Sequence, residues 1–132
     1  MAHKIYNYLR SQTTTHNSYT VSGEDLMVIL NYHHGNNHSQ MRAEFCERLW
    51  SLFYDSAAQS DALLAPDLVE AGMAFNFFDL ELSVSPSNRH KNGIIIQARQ
   101  SAQTEQLRQR QQARAHYLMQ RVNNPAMPGD SA

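Results

Sequence analysis

Between Met41 and Phe53 an apolar side chain returns every four residues, at Met41, Phe45, Leu49 and Phe53, with Cys46, Trp50 and Leu52 beside them. An α-helix turns 100° per residue, so this series lines one face, while Arg42, Glu44, Glu47 and Arg48 face away. The spacing predicts a helix over 39–54 with a strongly apolar side. Each large side chain buried there contributes roughly 1.5 to 3 kcal/mol, so this element anchors whatever core the chain builds. Trp50 and Phe45 are the expected centre of that core.

The remaining elements are read around this anchor. Ile5 to Leu9 fits a short helix or a strand, and Ser11 to Ser18 reads as loop. Ser22 stands three residues before an acid, Asp25, in the manner of a capping box, and Leu26, Ile29 and Leu30 repeat at helical spacing. A helix is therefore expected over 23–34, ending on Gly35, a residue free to take the left-handed conformation. Ser39, or Asn37 before it, caps the following helix. Ser56 to Ser60 reads as a break, and Pro66 opens a third helix carrying Leu68, Val69 and Met73.

From Phe78 the period shortens to two, with Phe78, Leu80, Leu82 and Val84 alternating with Asp79, Glu81 and Ser83. This is a half-buried strand. Turn signals at Ser85-Pro86-Ser87-Asn88 and Asn92-Gly93 follow, after which Ile94-Ile95-Ile96 reads either as the return strand of a hairpin or as the first turn of the next helix. That helix is expected from about Ile95 to Val122, a stretch free of Gly and Pro and rich in helix formers. The fold class expected is thus mainly α: a small helical domain with a short β-hairpin at about 78–96 and a long C-terminal helix. Residues 1–92 form a compact acidic helical body, 93–122 an extended Arg-rich helix and 123–132 a flexible tail.

Charge divides the chain in the same place. Residues 1–85 hold four basic against ten acidic side chains, a net of −6, and residues 86–132 hold seven against two, a net of +5. Along the last helix an eleven-residue recurrence sets Ile96, Leu107 and Leu118 on one line and Arg99, Arg110 and Arg121 on another, with Arg114 close to the arginines and Tyr117 at their edge. Eleven residues make about three helical turns, so each line is a nearly straight stripe. Arg99, Leu107, Arg110, Arg114, Tyr117, Leu118 and Arg121 are accordingly the expected partner-binding residues. A narrow apolar line packs on another helix while guanidinium groups reach carboxylates or phosphates. The expected partner is another protein or a second copy of the chain, and nucleic acid is the alternative through the same arginines.

No catalytic or cofactor signature stands out. There is no Gly-x-Ser-x-Gly elbow or Gly-rich phosphate loop, and Cys46 falls on an apolar helix face where a thiol is usually inert. His33, His34 and His38, with Glu44 and Cys46 downstream, raise the question of zinc, but Gly35-Asn36-Asn37 between them reads as a turn and no second ligand pair follows. The pair of helices at 23–34 and 39–54 imitates a helix-turn-helix, yet the second is apolar and acidic where a recognition helix is polar and basic. The longest apolar run, Leu26 to Leu30, is far short of the ~20 residues needed to cross a bilayer. One cysteine builds no internal disulfide, so a reducing, cytoplasmic setting is expected for a non-enzymatic interaction protein without cofactor or metal.

Overall fold

The computed structural model describes residues 1–33, 35, 37–60, 63, 65–101, 110, 113–114 and 116–119. It divides into two compact units, Met1–Ser101 and Ala102–Ala132. The first contains α1 (Ala2–Thr15), β1 (Tyr19–Ser22), α2 (Gly23–Ile29), α3 (His38–Ser60), α4 (Ala65–Glu70), β2 (Phe75–Phe77), β3 (Leu80–Pro86) and β4 (Ile94–Gln100). The four strands form one antiparallel sheet in the order β1-β4-β3-β2.

This sheet overturns the expectation of a mainly helical fold with a long helix beginning near Ile95. Ile94, Ile96 and Ala98 point into the core while Gln97 and Arg99 point outward, the two-residue alternation of a strand. Helix-forming Gln, Ala and Arg had masked that signal, and pairing on both sides, Val84 and Val21 each facing Ile96, overrides local propensity. The hairpin is real in its centre, where β3 pairs β4, but it is part of a larger sheet. Phe75 and Phe77 form a further strand, paired with Leu82 and Leu80. The acidic body expected over 1–92 therefore ends one strand later, at Ser101, and the tail expected over 123–132 lies outside the described residues.

Every strand buries one face. Val21, Phe75, Phe77, Leu80, Leu82, Val84, Ile94, Ile96 and Ala98 join one cluster with Ile5 and Leu9 of α1, Leu26 and Met27 of α2, and Phe45, Cys46, Leu49, Phe53 and Ala57 of α3. The helices thus cover one side of the sheet. Phe53 sits at its centre, with ring centroids 5.9 Å from Phe75 and 5.7 Å from Phe77. Phe45 is buried as expected, whereas Trp50 is only half-buried and donates from Nε1 to the Asn92 carbonyl at 3.0 Å.

Helix ends are set by local chemistry. Ser22 caps α2, its hydroxyl accepting from the Asp25 amide at 3.1 Å. The helix stops at Ile29 and does not reach Gly35, because Asn31 takes the left-handed conformation (φ 61°) and closes a Schellman motif: Tyr32 N–H to Met27 C=O at 2.9 Å and Asn31 N–H to Val28 C=O at 3.1 Å. Asn37 is the cap of α3, accepting from the Gln40 amide at 3.2 Å and donating to the Gln40 side chain at 3.0 Å. Two stretches read as loop or break are helix. Ser11 to Thr15 complete α1, their hydroxyls bonding back to carbonyls three residues earlier, and Ser56 to Ser60 complete α3.

Candidate functional site

Arg99 does not belong to a helical stripe. It lies on the outer face of β4 and clasps its cross-strand neighbour Glu81 with two contacts, Nη2 to Oε2 at 2.8 Å and Nε to the same oxygen at 3.0 Å. Ile96, the first member of the apolar line, is buried in the core. The recurrence that joined these residues to the C-terminal segment is therefore coincidental in its first repeat. Leu107 and Arg121 lie outside the described residues.

Arg110, Arg114, Tyr117 and Leu118 are all helical and all exposed. Arg110 and Arg114 are one turn apart on a common face, and the next turn carries Tyr117, Leu118 and Met119, 52%, 48% and 66% exposed. Of the seven residues expected to bind a partner, Arg110, Arg114, Tyr117 and Leu118 are thus helical and exposed.

The first unit carries surfaces that sequence periodicity did not mark. The outer side of the sheet is polar, with Thr20, Gln97 and Ser83 in one row across three strands and Ser22, Ile95 and Ser85 in the next. Two shallow clefts of about 220 and 270 Å³ lie over these rows. On the opposite side of the core, α3 borders a trough of about 560 Å³ lined by Met1, Glu44, Glu47, Arg48, Ser51, Leu52 and Asp55. A second depression of about 290 Å³, reaching Tyr32, Met41 and Phe45, shares Glu44 and Arg48 with it. Glu44 and Glu47 had been read as solvent-facing polar residues, and that is what lines this trough.

A charged cluster pins the β3–β4 loop to the helices. Glu24 Oε1 lies 3.3 Å from Arg42 Nη1 and 4.0 Å from His38 Nε2, and Glu24 Oε2 lies 3.6 Å from the nearly buried His90 Nε2. Asn92 reinforces the clamp by donating to the Ala43 carbonyl at 3.3 Å. Among the described residues no group of His, Cys, Asp or Glu side chains, this cluster included, is arranged to hold a metal ion, and His34 of the histidine group lies outside them.

Titration follows burial. The Cys46 thiol is pushed up to about 11, chiefly by burial, with Glu24 adding to and Arg42 opposing the shift. At neutral pH it is a protonated, enclosed thiol, the opposite of an activated nucleophile. Tyr8 is pushed up to about 12 by burial and by its hydroxyl contact with Tyr19. Tyr6 is raised by burial and by donating to Asp79 at 2.6 Å. These tyrosines are holding hydrogen bonds between elements.

The first unit is an α+β sandwich of one helical layer on one antiparallel sheet, followed by a separate helical, arginine-bearing segment. Comparison with protein-family models, with curated proteins and with solved structures finds no match to the chain. Among the described residues no helix is long and apolar enough to cross a membrane.

Proposed function

We propose that the chain is a non-enzymatic protein–protein interaction or assembly module acting through its C-terminal basic amphipathic segment. The observation that carries this reading is the exposure of Arg110, Arg114, Tyr117, Leu118 and Met119, each in helical conformation. Tyr, Met and Arg are the residue types enriched in the buried centre of protein interfaces, where an apolar body and a directional polar end serve the same contact. Leu107 and Arg121 extend the same stripe by spacing. Arg99 drops out of it, being engaged with Glu81. The absence of a nucleophile elbow and a phosphate loop, and the enclosed Cys46 thiol, support a role without catalysis. The single cysteine supports a reducing, cytoplasmic setting.

Nucleic-acid binding through the same arginines is the reading to be separated, and salt separates it. Contacts to phosphates weaken steeply and log-linearly with salt, whereas a docked apolar helix loses little. The decisive experiment compares the parent with an Arg110→Gln/Arg114→Gln/Leu118→Ala variant in light scattering, and in titrations with duplex DNA and RNA, at low and high salt. Loss of self-association or of complex formation with a defined protein partner in the variant is expected. Retention of every association by a folded variant overturns the proposal, and steeply salt-dependent nucleic-acid binding replaces it with the alternative.

A further inference from the structure

We infer that the trough along α3 receives the helical residues Arg110, Arg114 and 116–119 of a second copy of this chain. The inference rests on the interaction reading above and names its partner. The two depressions share Glu44 and Arg48 and together follow α3 from Met41 to Asp55. At 1.5 Å per residue this is about 21 Å, and a helix reaching from Arg110 to Met119 would need only about 14 Å. The receptor is therefore long enough for a helix laid along it.

Its chemistry fits the same occupant. Met1 and Leu52 supply apolar surface at one end, and Tyr32 and Met41 at the other, with Glu44, Glu47 and Asp55 along the length. A helix entering such a groove must carry apolar side chains and cations within a few turns, which is what Arg110, Arg114, Tyr117, Leu118 and Met119 provide. Arg48 lies among the acids, so the groove is a patterned receptor with a preferred register, and one that penalises a misplaced arginine. The overall charges agree: residues 1–101 hold seven basic against ten acidic side chains, and residues 102–132 hold four against two. Because donor helix and receptor groove are encoded in one chain, two copies related by a twofold axis make the contact twice.

Reversing the charges on each side tests this directly. A groove variant, Glu47→Arg/Asp55→Arg, and a helix variant, Arg110→Glu/Arg114→Glu, alter exposed positions, and circular dichroism melts confirm that each remains folded. Sedimentation of the full chain is expected to show self-association in the parent, and association weakened by roughly tenfold or more in each variant alone. Mixing the two variants is expected to restore association, since each reversed groove then meets a reversed helix and each parental groove a parental helix. A parent that stays monomeric at all concentrations overturns the inference, as does a mixture no tighter than its components, the result expected for docking within one chain. If the helix variant loses association while the groove variant keeps it, the groove assignment falls but the helix remains the interaction surface. If neither variant affects any complex the chain forms, the interaction reading falls with it.

Discussion

Adding a single methyl group at Gly23 is expected to destabilise the first unit although local propensity argues the other way. Gly23 is the first residue of α2, immediately after the Ser22 cap, and its backbone is not in the left-handed region. Alanine there gains up to ~1 kcal/mol of helix propensity, less at a terminal position than in the interior. A Cβ at this site, however, would stand 2.6 Å from Ile94 Cγ2, 2.9 Å from Cys46 Sγ and 3.2 Å from Leu49 Cδ1. Ordinary carbon contacts are about 3.5 to 4.0 Å, so two of the three are severe overlaps. All three neighbours are core residues of different elements, Ile94 on β4 and the other two on α3, and none can swing into solvent. Overpacking of this kind costs about 1 to 3 kcal/mol, and the net loss for Gly23→Ala is expected at about 1 to 2 kcal/mol. For a unit of this size each kcal/mol lowers Tm by roughly 4 to 8 °C. Chemical denaturation of Gly23→Ala, Cys46→Ala and the double variant completes the assay. Removing the sulfur opens one of the overlaps, so the two substitutions should couple favourably by at least ~0.5 kcal/mol. A Gly23→Ala protein as stable as the parent, or additivity in the double variant, would refute the claim that this junction is closed by packing.

Phe53→Ala should cost about 3 to 5 kcal/mol, because it empties the space between α3 and the rings of Phe75 and Phe77; a denaturation midpoint unchanged from the parent would contradict that packing. Arg99→Gln should cost no more than about 1 kcal/mol, since its side chain is 60% exposed, and the loss should shrink in high salt; Arg110→Gln/Arg114→Gln should leave the melting of the first unit unchanged, and a larger loss there would make those arginines structural. Alkaline stability has a definite sign: Cys46 and Tyr8 are raised to about 11 and about 12, so the unfolded chain releases their protons first. Their protonated forms stabilise the fold fully below about pH 8.5, and this contribution is lost as pH rises towards their folded values. Urea titrations between neutral and strongly alkaline pH should show the decline, less steep in Cys46→Ala; stability rising across that interval would contradict the burial of both groups.

The parts of this fold legible in the sequence were those in which one signal acted alone. The four-residue period from Met41 to Phe53 needed no partner to be read as a helix, and Ser22 announced α2 by a bond made within three residues. What was misread depended on choices between local alternatives that only the assembled protein decides. Asn31 terminated α2 where glycine was sought further on, and Ser56 to Ser60 stayed helical, with Ala57 packing in the core. Residues 94–99 show the conflict most plainly. Counted by propensity, Gln97, Ala98 and Arg99 extend a helix; placed in the sheet, residues 95–98 are paired with β1 on one edge and β3 on the other, Arg99 is paired with β3, and Ile94, Ile96 and Ala98 are buried together. The candidate binding residues divide along that line, with Arg99 in the sheet and Arg110, Arg114, Tyr117 and Leu118 in helical conformation.

Phe78 shows how far the tertiary environment can move a residue from its sequence pattern. By alternation it opens a strand, yet it occupies the turn between β2 and β3 with φ of 55°, a conformation that costs a residue with a Cβ roughly 1 to 2 kcal/mol. A slip of one residue would turn the whole of β3 over, placing Leu80, Leu82 and Val84 on the polar face. Burial of those three side chains outweighs the strained turn several-fold at roughly 1.5 to 3 kcal/mol each. Phe78 recovers part of its own cost from ring contacts, with centroids 4.8 Å from Tyr6 and 5.0 Å from Phe77, while the neighbouring Asp79 accepts from the Tyr6 hydroxyl. The register of the sheet, and with it the outward direction of Glu81, Ser83 and Arg99, is thus set by the apolar face, and the turn residue accommodates to it.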